Sequence, residues 1–269
     1  MNPSALRTAV TRTAAFADHD TIDVVGVSLI ADCAGALYWP DEGVLAVADL
    51  HFEKGSSFAT RGMLLPPYDT ATTLARLARL VAFYSPRVIV ALGDSFHDRQ
   101  GPARLAPRDR AALKSLQRNR DWIWIAGNHD PDPAEDIGGT FTHTFIRGPL
   151  TFRHDPTARY QAEWKLELEY DEALSAETSL SCAPIAADGE IAGHLHPTAR
   201  ISQRGRSITR RCFVADGRRL VMPAFGAYTG GLNVRDSAFG TVFGNLDFTA
   251  HLLGERRLYA LSATRCLAD

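Results

Sequence analysis

Cysteine is scarce in this 269-residue chain: Cys33, Cys182, Cys212 and Cys266 lie far apart, with no CxxC pair. That spacing supplies neither a zinc ribbon nor a disulfide framework, and it fits a reducing, cytoplasmic setting. Long apolar runs are missing as well. No stretch approaches the roughly 20 residues of a membrane span, and Met1 to Phe16 has no apolar core of signal-peptide length. Nor is there an excess of one charge: Lys+Arg 29 against Asp+Glu 31 leaves a net charge of −2, so no global field draws the chain to nucleic acid or acidic membranes. Lysine itself is rare; among the 29 basic residues only Lys54, Lys114 and Lys165 are not arginine. No Walker A loop and no Gly-x-Ser-x-Gly elbow occurs, which argues against ATP-driven work and against a serine nucleophile.

What is present is a chain with 45% hydrophobic and 22% charged residues, enough to bury a large core as one α/β domain. Residues 1–21 are Thr/Ala-rich and read as a flexible N-terminal arm. Residues 22–269 show no repeat and no linker, and read as a single domain. Val24–Ile30 and Leu37–Trp39 read as meander strands, and Val44–Ala48 as a strand buried on both faces. Thr70 to Phe83 repeats leucine at helical spacing, and Pro107 to Gln117 is a second amphipathic helix. Between and after them, Arg87–Leu92 and Trp122–Ala126 read as strands. Strand, helix, strand, helix, strand predicts a parallel-type sheet covered by helices. Beyond residue 140 the pattern is strand-rich (Phe141–Ile146, Leu150–Arg153, Cys212–Val214, Leu220–Phe225, Leu258–Leu261), apart from an irregular acidic excursion over 155–190.

The informative residues sit at the strand ends. Val44–Ala48 ends in Asp49-Leu50-His51, and Arg87–Leu92 in Gly93-Asp94 with His97 close behind. Trp122–Ala126 ends in Gly127-Asn128-His129-Asp130, Leu150–Arg153 in His154, and the short run at Ile191 in Gly193-His194-Leu195-His196. Carboxyl ends of strands in open α/β sheets share a rim where ligands bind. Five strand ends therefore deliver Asp, His and Asn side chains to one place. Carboxylate, imidazole and amide oxygen without thiolate suit Mn, Fe, Zn, Ni or Mg, with Mn2+ foremost. More than four such groups exceed one tetrahedral zinc site, which implies two divalent ions. Two ions about 3.5–4 Å apart need a shared carboxylate, and Asp94 is central in the order.

In order, Asp49-x-His51, Gly93-Asp94, Gly127-Asn128-His129-Asp130, His154 and Gly193-His194-x-His196 resemble the five-block signature of calcineurin-like metallophosphoesterases, over about residues 44 to 231. The resemblance implies a two-sheet β-sandwich flanked by helices, a four-layer αββα arrangement. It implies one metal on Asp49, His51, Asp94 and His196, and a second on Asp94, Asn128, His154 and His194. By the same resemblance His129 contacts the phosphate and assists the leaving group, oriented by Asp130. A narrower similarity runs through Ala48-Asp-Leu-His-Phe-Glu-Lys-Gly-Ser-Ser-Phe58, Arg61-Gly62, Pro66-Pro67-Tyr68-Asp69-Thr70, Gly93-Asp-Ser-Phe-His-Asp98, Gly193-His-Leu-His-Pro197 and Pro223-Ala-Phe-Gly-Ala-Tyr-Thr-Gly-Gly231. Those segments resemble the ligase-associated DNA-damage-response phosphoesterases (PdeM), encoded with a DNA ligase, a helicase and an exonuclease. That implies a phosphodiesterase or endonuclease in bacterial DNA repair, in which metal-activated water attacks phosphorus in line. Many relatives carry Asp where this chain has His97, a candidate substrate contact.

Between Arg200 and Arg219 lie seven arginines against one acid, Asp216. A two-stranded ribbon there would carry Arg204, Arg206 and Arg210 toward a DNA backbone near the rim, since the guanidinium fork suits phosphate. The bimetal core would equally serve a small-nucleotide phosphatase or pyrophosphohydrolase. A non-catalytic scaffold of the same fold would have lost ligands, and here every expected position is filled.

Overall fold

The computed structural model describes residues 20–130, 136–158 and 188–269. Almost all of the expected N-terminal arm, and the body of the acidic excursion, lie outside the described residues.

Two sheets make the frame. The first runs in sequence order through β1 (Thr21–Val24), β2 (Val27–Ala31), β3 (Leu37–Trp39), β4 (Val44–Ala48), β5 (Val88–Leu92), β6 (Asp121–Ile125) and β7 (Thr140–Thr142). Its first four strands form an antiparallel meander, while β4 to β7 are parallel. Helices α1 (Lys54–Thr60), α2 (Asp69–Tyr84), α3 (Gly101–Arg104) and α4 (Pro107–Gln117) fill the connections between β4 and β6. The second sheet contains β8 (Thr144–Arg147), β9 (Leu150–Arg153), β10 (Gly189–Ala192), β11 (Pro197–Gln203), β12 (Arg206–Ala215), β13 (Arg219–Val221) and β14 (Leu232–Asn233), in the order β14-β11-β12-β13-β10-β9-β8. After helix α5 (Ser237–Phe243), β15 (Thr249–Leu253) pairs with β12, and β16 (Leu258–Ser262) pairs with β15.

Side-chain alternation along a strand explains the layering. In β4 and β5 every residue is buried. Val44, Ala46, Ala48, Val88, Val90 and Leu92 face the second sheet, where they meet Phe152, Ile191, Phe213 and Leu220. The alternate residues Leu45, Val47, Ile89 and Ala91 turn outward under Leu74, Leu77, Leu80 and Leu113 of α2 and α4. On the far side, Cys212, Val214 and Val221 carry Phe239, Val242 and Phe243 of α5. Helix, sheet, sheet, helix: the family resemblance implies this stack, and the structure has it.

Three local readings change. Val24–Ile30 is not one strand but a hairpin that turns at Val25 (φ 46°) and Gly26 (φ 80°). Phe141–Ile146 splits after Thr142, where the chain leaves the first sheet and enters the second. The basic segment does form a ribbon, β11 against β12, closed by a turn at Arg204 and Gly205. Its second strand runs over Arg206–Ala215, where the sequence marked only Cys212–Val214.

Candidate metal centre and active site

The parallel strands β4, β5 and β6 end side by side in register, Ala48 beside Leu92 and Leu92 beside Ile125. Strands β9 and β10 end together in the second sheet. The chain after β13 closes the gap between them: Phe225 N donates to the Ala48 carbonyl at 2.8 Å, and Gly226 N to that of Asp49 at 3.1 Å. Backbone turns then aim the side chains inward. Asp49, His51, Asp94, His194 and His196 all adopt left-handed backbone, with φ of 52°, 43°, 45°, 68° and 46°. That region is uncommon outside glycine, and Asp and His are among the residues that enter it most readily. Close approach depends on two glycines. A Cβ on Gly93 would lie 2.4 Å from the His154 ring, and one on Gly127 would lie 2.2 Å from Asp94 N.

The expected residues meet as two adjoining triads, Asp49/His51/His196 and Asp94/His154/His194, whose ligand atoms lie within 4.8 Å of one another inside each triad. His196 Nε2 is 3.3 Å from Asp49 Oδ1 and 3.4 Å from His51 Nε2. Asn128 Oδ1 is 2.9 Å from His154 Nε2, and His194 Nδ1 is 3.2 Å from the same nitrogen. Asp94 faces both triads, with Oδ1 3.5 Å from His154 Nε2 and Oδ2 3.9 Å from His51 Nε2.

The protonation pattern fits cations rather than a closed hydrogen-bond network. His154 Nδ1 donates to the Leu92 carbonyl at 2.9 Å, so a neutral ring there would present its lone pair at Nε2. The Asn128 and Asp94 oxygens facing that lone pair are acceptors too. Burial, with other histidines nearby, lowers the His51 pKa to about 2, which keeps its imidazole neutral as a metal ligand must be. Oxygen and imidazole donors without sulfur match hard to borderline divalent ions. The residues present therefore fit a divalent metal centre.

His129 sits at the opening. Its Nδ1 donates to the His97 carbonyl at 2.9 Å, leaving Nε2 to face the cleft 3.9 Å from Asp94 Oδ2. The His97 ring stacks on it at 5.4 Å and 25°. Burial first, then the Lys54 charge, lowers the His97 pKa to about 4. Asp130 does not take the place expected for it: its Oδ2 accepts from Phe96 N at 3.0 Å and braces the turn after β5. The His97 carbonyl, not Asp130, orients His129. Burial, helped by the Asp94 charge, raises the Asp130 pKa to about 7.

The ribbon arginines are spread out. Arg210 pairs with Ala199, close to the rim, whereas Arg204 and Arg206 flank the ribbon tip. At about 3.3 Å per residue the tip is roughly 25 Å from His196, which places Arg204 and Arg206 away from the rim that the sequence suggested for them. Arg211 is committed inward, donating to the carbonyls of Ala224, Gly226 and Thr229 at 3.0 to 3.2 Å. Two further residues adjoin the site. Asp155 Oδ1 lies 3.5 Å from His194 Nε2, where it can hold that ring with Nδ1 facing the metal triad. Lys54 reaches the site wall from α1.

Among the described residues, no helix is long and apolar enough to cross a membrane. A family model for the calcineurin-like phosphoesterases matches residues 43–206. Among solved structures, the nuclease MPE of Pseudomonas putida is 26% identical, covers 91% of this chain and 100% of its own, and superimposes with a TM-score of 0.61. The phosphoesterase YfcE of Escherichia coli is 13% identical over 82% of this chain and 98% of its own, at a TM-score of 0.36. An Aquifex aeolicus protein of unknown function is 18% identical over 57% of this chain and 78% of its own, also at 0.36. No curated protein sequence matches. From the matched residues and the two-sheet frame, this chain belongs to the calcineurin-like phosphoesterases and is a metal-dependent phosphoric ester hydrolase.

Proposed function

We propose that this chain is a binuclear phosphodiesterase that cleaves DNA, with Mn2+ as the metal it uses best. The observation that carries the binuclear part is Asp94, whose two oxygens face two separate triads. In this reading Asp49, His51, Asp94 and His196 hold one ion, and Asp94, Asn128, His154 and His194 the other. Bound divalent ions would activate water for in-line attack and neutralise charge on the phosphate oxygens. The protein's own part is positional and acid–base. His129, with Nδ1–H fixed on a carbonyl, offers Nε2 to the phosphate or to the departing oxygen, where it donates a proton or a hydrogen bond. Asp130 supports that loop from behind, and His97 walls the same side of the cleft.

The DNA part rests on the likeness to the P. putida nuclease and on the exposed arginines of the β11–β12 ribbon. Arg210 near the rim and Arg204 and Arg206 at the tip suit a ligand long enough to span both, which a free nucleotide is not. In the cell a DNA ligase, a helicase and an exonuclease are the expected associates, with DNA repair as the setting and the cytoplasm as the compartment. The test is a Mn2+-supplemented substrate panel of single-stranded oligonucleotide, bis(p-nitrophenyl) phosphate and mononucleotides. Cleavage of the oligonucleotide supports the reading. Rapid turnover of a nucleotide with no binding or cutting of DNA moves the assignment to a small-nucleotide phosphatase or pyrophosphohydrolase.

A further inference from the structure

Lys54 lies three positions after His51, in a chain that otherwise places arginine at nearly every basic position. Its Nζ donates to the Tyr228 carbonyl at 3.0 Å and stands 5.8 Å from the centre of the Phe58 ring. Phe58 in turn packs against His97 at 5.6 Å, and His97 stacks on His129. The ammonium is close enough for its charge to act on both His51 and His97. It thus flanks the metal centre on the His97 side.

The backbone around it is pinned. Glu53 N donates to Thr70 Oγ1 at 2.9 Å and Gly55 N to Asp69 Oδ2 at 3.0 Å. The Glu53 carboxylate receives Thr70 Oγ1 at 3.0 Å and Ser56 Oγ at 2.7 Å. Two buried carboxylates therefore fasten α1 to the start of α2, and Lys54 projects from between the fastened residues. Burial lowers the Lys54 pKa from its usual value, the Asp69 charge opposes that shift, and Asp69 Oδ2 is engaged with Gly55 N. Among the described residues no salt bridge to Lys54 is formed. With one N–H spent on Tyr228, two donors stay available. A half-buried, preorganised cation without a salt-bridge partner beside a phosphate site is suited to an anion the substrate brings.

We propose that Lys54 is a substrate-binding residue, taking an oxygen of a second phosphate in the same substrate, next to the one held at the metal centre. This rests on the proposed function, in which the scissile phosphate lies at the Asp94-centred cluster. A compact ammonium with rotatable donors tolerates variation in where that second phosphate lies, as a planar guanidinium does not. The second phosphate could come from the next linkage of a polynucleotide or from a pyrophosphate group, and the ligands chosen separate these.

The test is calorimetric binding to the Mn2+-loaded protein, so that it does not depend on turnover. Three ligands are compared: thymidine 5′-monophosphate, thymidine 3′,5′-bisphosphate and thymidine 5′-diphosphate. The bisphosphate should bind wild type about tenfold more tightly than the monophosphate. Lys54→Gln should abolish that gain, and Lys54→Arg, which keeps the charge, should restore part of it. The proposal is overturned if wild type shows no gain with either two-phosphate ligand, or if Lys54→Gln leaves the gain intact. It is also overturned if Lys54→Gln weakens all three ligands equally with a lowered melting temperature, which would assign Lys54 to bracing Tyr228. A gain confined to thymidine 5′-diphosphate, and lost in Lys54→Gln, keeps the second-phosphate role and removes the DNA reading.

Discussion

The rim and the ribbon tip are built by opposite rules. At the rim the Asp and His side chains of the two triads are buried or half-buried and held from several directions. Asp94 alone accepts from His129 N and faces His51, His129 and His154. At the tip Arg204, Gly205 and Arg206 are exposed on a two-residue turn. The rim is fixed by the fold because cation binding requires donors placed within tenths of an ångström. For the role proposed, the tip needs only charge, which acts over a Debye length of about 8–10 Å. On that proposal chemistry and substrate range are separable, and mutations should divide the same way.

The largest effect expected is at Asp94. Asp94→Asn should release both ions on dialysis and lower kcat by about 10³-fold or more, the loss of several kcal/mol of charge stabilisation. Elemental analysis showing one ion retained at full occupancy would confine Asp94 to a single triad and break the symmetry of the rim. Next comes His129→Ala. It should keep both ions while kcat falls by about 10²–10⁴-fold, less for p-nitrophenyl esters, whose leaving group needs no acid. A matching fall in metal content would make His129 a ligand.

A smaller effect tests the backbone under the rim. In Gly127→Ala the new methyl meets Asp94 N at 2.2 Å, so one turn must shift, at a cost of roughly 1–3 kcal/mol. Thermal unfolding should show the loss, and metal affinity should fall with it. An unchanged melting temperature would mean the turns are looser than the rim geometry requires. The smallest effect belongs to the tip. Neutralising Arg204, Arg206 and Arg210 together should reduce the log–log salt slope of single-stranded DNA binding by about 2. The ratio of oligonucleotide to small-diester turnover should fall with it. An unaltered slope would remove the ribbon from the binding surface.

Much of this division is legible in the sequence. Apolar runs bounded by turn residues mark β4, β5 and β6, leucine spacing marks α2, and Asp, Asn and His at the strand ends mark the rim. The features that leave no such mark have physical reasons. The turn at Val25 interrupts an apolar run that carries the pattern of a continuous strand. Phe141 to Ile146 changes sheet without changing composition. Helix α1, of sequence Lys-Gly-Ser-Ser-Phe-Ala-Thr, has poor intrinsic propensity and is held by the Glu53–Thr70 and Asp69–Gly55 bonds, which lie 14 to 17 residues apart in sequence. The His97 carbonyl that orients His129 is a backbone atom, and no side-chain pattern announces it. Conversely, the family resemblance implies that Asp130 orients His129, yet its carboxylate accepts from Phe96 N.

The left-handed backbone at five rim residues has a consequence for how such a site can change over time. A β-branched residue placed at position 49, 51, 94, 194 or 196 is penalised by the main chain before its chemistry matters, although the hairpin turn accepts Val25 at φ 46°. The residues that the main chain favours there, Asp, Asn, His and glycine, are mostly ones that can coordinate a cation. A random library screened for folding alone would thus arrive enriched in ligand-competent side chains at these five positions. The scaffold pre-sorts its own variation at these positions.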